Sequence, residues 1–211
     1  MAVAKSPFYI IRNFLSPKQC DVIIDKLRFY EPDVDTEGNP LKMIRHEDES
    51  ETLIFSRFEP LIPQLEEYYD YSHLGTEKIS FEYYPQGCET EPLCENSNWV
   101  NKKWIRTKNR DISCILFLSQ YNKNPDFETD FEIYGGLLGF HSFNFSFHPE
   151  RGTLIVYPSG PHFINSTSPI KMGDLFQARF HLQGKLPYLY QPDKFPGADN
   201  PLKNWFQGLH D

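Results

Sequence analysis

The chain has 211 residues, 39% of them apolar and 16% aromatic, with a formal net charge of -8 and a pI of about 5.4. That length supports one sizeable domain with its own core, and the acidic balance argues against nucleic acid, whose binders show a basic surplus. No run reaches membrane-spanning length and the first residues lack the apolar segment of a secretory signal, so the expectation is a soluble cytoplasmic protein with no membrane partner.

Phe8 to Phe14 reads as a first strand. A helix start follows. Ser16 is the cap, Pro17 takes the first helical position and Gln19 completes a capping box. Cys20, Ile23, Ile24 and Leu27 recur at helical spacing and give one apolar face, so this helix is expected on the outside of a sheet. Tyr30 to Ser50 is polar and reads as a loop. Leu53 to Tyr69 reads as one or two helices interrupted by Pro60 and Pro63, with Leu61, Leu65 and Tyr68 or Tyr69 as its buried stripe.

Strand signals dominate from there. Ile79, Phe81 and Tyr83 alternate with polar or less apolar positions. Ile112 to Leu118 is a continuous apolar run suited to a central strand. Phe143, Phe145 and Phe147 alternate again. Thr153 to Tyr157 is a β-branched and aromatic run, Pro158-Ser159-Gly160-Pro161 is turn chemistry, His162 follows at once, and Leu175 to Leu182 reads as a long strand. Helices early and strands late, with no strand–helix repeat, predict an α+β, mostly β architecture whose N-terminal helices pack on one sheet.

The four cysteines, Cys20, Cys88, Cys94 and Cys114, form no CxxC pair, and Cys20 and Cys114 fall at apolar positions, as core residues do. Lys102, Lys103, Arg106, Lys108 and Arg110 form the one cationic cluster, a solvated loop or a patch that meets an acidic surface. After residue 182 four prolines break regular structure. The aromatics of 183–211, Trp205 and Phe206 included, predict a segment that wraps the 1–182 domain or docks on a partner.

The ordered blocks FEYYPQGCETEPLCENS, NRDISCILFLSQYN, YGGLLGF, RGTLIVYPSGPHFINS and GDLFQARFHL resemble the prolyl-4-hydroxylase-like dioxygenases that use iron(II) and 2-oxoglutarate. The resemblance implies a double-stranded β-helix, a jelly-roll or cupin-like pair of sheets. In that family a His-x-Asp motif and a distal histidine hold the iron, because imidazole and carboxylate suit iron(II) and a one-sided triad leaves positions open. A basic residue on the following strand pairs with the far carboxylate of the keto acid.

Carried onto this sequence, the resemblance assigns His162 as the distal histidine and Glu95 as the carboxylate, both as metal ligands; Arg179, on the same face of its strand but four residues beyond the usual basic position, would be the cosubstrate partner in a shifted pocket. It places Leu93 where the first histidine belongs and Leu175 at the usual basic position. His141 or His148 would have to supply the missing imidazole. Two readings follow. In one the site is lost and the fold serves binding or assembly through a protein partner. Family members occur in bacteria and their phages, which extends that reading to a phage-particle component located in the virion. In the other the chain is an iron(II)- and 2-oxoglutarate-dependent hydroxylase of a protein side chain or small molecule.

Overall fold

The computed structural model describes residues 5–29, 36, 42–124 and 129–195. In chain order the strands and helices are β1 (Tyr9–Ile11), α1 (Pro17–Arg28), β2 (Met43–Arg45), α2 (Asp48–Phe58), α3 (Ile62–Tyr69), β3 (His73–Thr76), β4 (Ser80–Tyr84), β5 (Ser97–Val100), β6 (Lys103–Arg106), β7 (Ile112–Phe117), β8 (Gln120–Tyr121), β9 (Glu132–Gly135), β10 (Leu138–Phe140), β11 (Phe145–Phe147), β12 (Leu154–Pro158), β13 (Asn165–Thr167), β14 (Ile170–Met172) and β15 (Leu175–Gly184). Short 3₁₀ turns join α2 to α3 at Glu59–Leu61, follow β10 at His141–Phe143, and follow β12 at Pro161–Phe163.

The main sheet runs β1-β12-β7-β15-β4-β2, with β3 paired to the far end of β15. Its pairings are antiparallel. Smaller sheets, β11-β10-β13 and β14-β9-β8, oppose it. The whole is mostly β, a double-stranded β-helix backed by helices, as the resemblance implies. No helix among the described residues is long and apolar enough to cross a membrane.

The main sheet is buried on both faces, and strand alternation decides what lies on each. Leu154 and Val156 of β12, Cys114 and Leu116 of β7, and Phe176, Ala178, Phe180 and Leu182 of β15 face one way. They share a core with Cys20, Ile23, Ile24 and Leu27 of α1 and with Ile54, Phe58, Leu65 and Tyr69 of α2 and α3. The intervening residues point into the barrel. There Ile115, Phe117, Ile155 and Tyr157 pack on Phe8, Leu138, Phe140 and Phe163.

Helix α1 forms where the sequence signals place it. The Ser16 side chain accepts from the Gln19 backbone N–H while the Gln19 side chain takes the Ser16 N–H. Its four buried side chains are the four of the apolar stripe. Each large aliphatic among them contributes about 1.5–3 kcal/mol by leaving water.

Two boundaries differ from the sequence reading. Part of the expected loop is structured: Met43 pairs with Tyr83 on the sheet edge, and α2 begins at Asp48. Its cap is Glu47, whose carboxylate accepts from the Glu49 and Ser50 N–H groups, a role more usual for Ser, Thr, Asp or Asn. Phe143 lies in a 3₁₀ turn, and only Phe145 to Phe147 continue as strand, because Asn144 takes a left-handed conformation between them. Gly135 is needed where it stands: at φ +90° a Cβ would sit 2.2 Å from the Pro169 carbonyl oxygen, so the β9–β14 approach requires glycine.

After Gly184 the chain crosses the barrel mouth. Tyr188 meets Tyr69, Tyr190 packs at a tilt against His162, and Phe195 is buried against Tyr68 and Tyr69. Trp205 and Phe206 lie outside the described residues.

Candidate functional site

The long strand β15 sets the site. Its inward row is Leu175, Gln177, Arg179 and His181, all buried. Beside it β4 aims Glu82 and Tyr84 into the same space, and the segment before β5 brings Glu95. Burial of this many polar groups is tolerable only when each is paired, and the pairing is dense.

Glu82, 2% exposed, accepts four hydrogen bonds. Lys42 Nζ reaches Oε1 at 2.6 Å. Gln177 Nε2, Tyr84 Oη and Arg179 Nε reach Oε2 at 2.6, 3.0 and 3.2 Å. Burial alone would raise this carboxyl, but Arg179, Lys42 and the hydrogen bonds outweigh it and hold it down at about 2. Arg179 gives its second arm to Glu95 through Nη1. Burial disfavours its charge, yet Glu82 and Glu95 together hold the guanidinium firmly protonated.

Glu95 also faces Arg110 Nη1 at 3.8 Å and His181 Nε2 at 3.7 Å, and Arg110 turns its other edge onto Glu77 at 2.8–3.0 Å. His181 is neutral: burial and the charges of Arg110 and Arg179 push it down to about 3. Its Nδ1 meets Ser113 Oγ at 3.1 Å, which in turn meets Ser159 Oγ at 2.6 Å. Three cations, Lys42, Arg179 and Arg110, thus face three carboxylates, Glu82, Glu95 and Glu77, so the network is charge-balanced.

Of the residues the sequence singles out, the structure brings Glu95 and Arg179 together, as partners of each other. His162 is not a partner of either in the contacts of the described residues, though it lines one cavity with Asn96 and Ser97, the residues that follow Glu95. His162 lies in the 3₁₀ turn after β12, its ring 4.5 Å from that of Tyr190, and burial lowers its pKa. The residue opposite Leu93 is Asn165, which exchanges two backbone hydrogen bonds with it at 2.9 and 3.0 Å. Asn165 is buried and Leu93 is 37% exposed. His141 bonds Ser166 Oγ at 2.9 Å, and His148 packs on Tyr121; neither is a partner of Glu95 in these contacts.

The expected iron triad therefore does not fit the residues present. The carboxylate is committed to a guanidinium, the His162 ring packs against Tyr190, and among the described residues no group of three or more His, Cys, Asp or Glu is placed to hold a metal ion. The usual basic position of the keto-acid subsite is also closed, since Leu175 packs with Tyr84, Ile133 and Ile170 in an apolar cluster.

Sequence reasoning missed Glu82, Gln177 and Lys42. The signal for the first two was available: Glu82 sits inside an alternating strand whose other face is apolar, and Gln177 shares the inward face of Arg179. Lys42 carries no such signal.

No family model matches the chain, and no curated protein matches its sequence. Solved structures do. A prolyl-4-hydroxylase of Pseudomonas putida aligns with a TM-score of 0.63 at 15% identity, over 85% of this chain and 93% of its own. The fold is that of the prolyl-4-hydroxylases. A viral collagen prolyl hydroxylase from Paramecium Bursaria Chlorella virus-1, in complex with 2-oxoglutarate, aligns with a TM-score of 0.61 at 15% identity, over 84% of this chain and 96% of that one. A Trichoplax adhaerens prolyl hydroxylase bound to a hypoxia-inducible-factor peptide aligns at 0.57 and 14% identity, over 85% of this chain and 84% of that one. The shared fold covers about 85% of this chain, and the chemistry must be argued from the barrel interior itself.

Proposed function

We propose that this chain is a non-catalytic protein on the prolyl-4-hydroxylase fold, acting as a binding or assembly component, with a phage particle as the assembly in view. The observation that carries the reading is the Arg179 guanidinium held between Glu82 and Glu95. A buried cation in that position takes up the carboxylate a metal would need and repels a second cation. The apolar packing of Leu175 supports the same reading for the cosubstrate. What remains is a barrel whose polar interior is tied by ion pairs. No iron or 2-oxoglutarate step is assigned to these residues.

The test is turnover. Purified protein supplied with iron(II), ascorbate, oxygen and 2-oxoglutarate is expected to release no succinate above a protein-free control. Iron-dependent succinate release by the wild type would overturn the proposal and restore the hydroxylase reading, with Glu95 and His162 as its first residues to mutate.

A further inference from the structure

A cavity of about 780 Å³ opens between the turn after α3 and the crossing segment after β15; its walls include Asp70, Tyr71, Lys185, Leu186, Tyr188 and Leu189. Leu186 and Leu189 are 79% and 76% exposed. Single exposed leucines are ordinary on a protein surface, but two at the rim of one cavity make an uncovered apolar edge. The phenol oxygens of Tyr71 and Tyr188 are buried and have no hydrogen-bond partner among the described residues. A buried phenol normally has one. The cavity therefore offers apolar contact and unspent hydrogen-bonding capacity together. That suits an indole, a large apolar body with one N–H donor.

The chain supplies such a group itself. Its described residues end at Phe195, which is buried against Tyr68 and Tyr69. Tyr188 packs on the same Tyr69 ring, and the Tyr190 hydroxyl donates to the Phe195 carbonyl. A turn brings the chain back to this wall: the Gln191 carbonyl accepts from the Lys194 and Phe195 N–H groups at 3.1 and 2.9 Å. In the sequence that follows, Leu202, Trp205, Phe206 and Leu209 stand at i, i+3, i+4 and i+7, one face of a helix. Asn200 suits its cap, Pro201 its first position and Gly208 its stop. Lys203, Asn204 and Gln207 fall on the opposite face. So short a helix does not hold alone in water, where about 12–15 residues are needed, and its apolar face must be covered for it to form. The seven steps from Phe195 to Leu202 reach up to about 23 Å, ample for a cavity whose wall Phe195 already touches.

We infer that residues 200–209 of this chain fold as an amphipathic helix onto the cavity, covering Leu186 and Leu189, with Trp205 as the anchor. The indole lies against the two leucines, and its N–H takes one of the phenol oxygens. The mode is helix-in-groove, with anchors at i, i+3, i+4 and i+7. It is intramolecular, because a short tether holds the helix at an effective concentration in the millimolar range, above that of a second copy in dilute solution. Docked, the helix removes an apolar edge through which copies would otherwise associate. The face lies outside the polar interior, so succinate release has no bearing on it.

The experiment uses the full chain with 5-fluorotryptophan at its three tryptophans, followed by fluorine NMR. Trp205→Phe identifies the Trp205 line by its loss. That line is expected away from the position of the free amino acid, and to stay there on dilution. Leu186→Glu changes an exposed position and sets a charge against the anchor. It should send the Trp205 line to the free position and leave the Trp99 and Trp104 lines in place. Amide exchange at Trp205, Phe206 and Gln207 should quicken in this variant by about 10-fold or more. Lys203→Glu, on the opposite face of the helix, should leave all three lines where they are. A Trp205 line at the free position in the wild type overturns the inference. So does a line that Leu186→Glu fails to move, since the anchor then lies elsewhere. A line that moves to the free position on dilution, with a dimer in sedimentation at high concentration, overturns it in favour of a second copy.

Discussion

Arg179 Nε lies 3.2 Å from Glu82 Oε2, between adjacent antiparallel strands in the middle of the barrel. Both residues are nearly water-free, so the pair gains from a low local dielectric and would suffer badly if split. A buried ion pair is weak evidence for net stability, but removing one partner leaves the other charge stranded. Arg179→Met should therefore cost roughly 3–5 kcal/mol, because it leaves two buried carboxylates, Glu82 and Glu95, without the cation they share, with only Lys42 and the more distant Arg110 to balance them. Urea unfolding at neutral pH checks it. A loss under about 1 kcal/mol would mean that the carboxylates find other partners or that water enters.

The same interior makes the fold acid-sensitive in two steps. His181 is held down at about 3 when folded and returns to about 6.5 when unfolded, so the unfolded chain takes a proton that the folded one refuses. Its contribution is complete above pH 6.5 and is lost as pH falls toward 3. Glu82, held at about 2 against 4.5 unfolded, contributes fully above pH 4.5 and loses that contribution as pH falls toward 2. At pH 4.5 the His181 effect alone is on the order of 3 kcal/mol. Denaturation midpoints between pH 7 and pH 4.5 should fall for the wild type and fall less steeply for His181→Gln, which keeps His73, His141 and His162, whose pKa values are also lowered. Parallel slopes for the two proteins would remove His181 from the account.

The sequence makes the frame legible because its signals are local. The Ser16 cap, the stripe from Cys20 to Leu27 and the run from Ile112 each dictate an element within a few residues, and each element is found there. The resemblance to the prolyl-4-hydroxylases supplies the topology. The interior is less legible because it depends on register between distant strands. Which residue faces Leu93 is decided by the β13 pairing, and that pairing selects Asn165, three residues past His162. Glu82 illustrates the other limit: strand alternation marks it as facing opposite to Phe81, but only the closed barrel reveals that this opposite side is also buried.

Asp111 is expected to act as a hub. It takes one side-chain and two backbone donors, and Asp111→Ala would leave the Gly184 N–H buried without that acceptor. The cost should be about 2–3 kcal/mol, as for charge-linked buried hydrogen bonds. Hydrogen exchange should quicken first at Gly184 and Tyr188. Unchanged protection at those two amides would show that the crossing segment is held by its aromatic contacts alone.

The Leu93–Asn165 pair offers the last test, on where a metal could be rebuilt. The two residues exchange both backbone hydrogen bonds, a hydrogen-bonded antiparallel pair, whose Cα atoms lie about 5.5 Å apart. Side chains directly opposite in such a pair share a face, with Cβ atoms about 4.5–5.5 Å apart, close enough for two imidazoles to share one ion. Leu93→His with Asn165→His should therefore create cobalt(II) binding, read as visible absorption in a titration under anaerobic conditions. The wild type should give none. Glu95 is two residues from position 93 but is held by Arg179, so the double variant gains two ligands and not three. Adding Arg179→Gln removes the competing cation and frees the carboxylate, and affinity should rise again by at least about 10-fold, the lower end of what a supporting partner of a metal site contributes. If the third change weakens binding, Glu95 does not reach the ion. If the double variant binds no cobalt at all, the pair does not mark the metal position, and the search should move to His162 and the wall it shares with Tyr190.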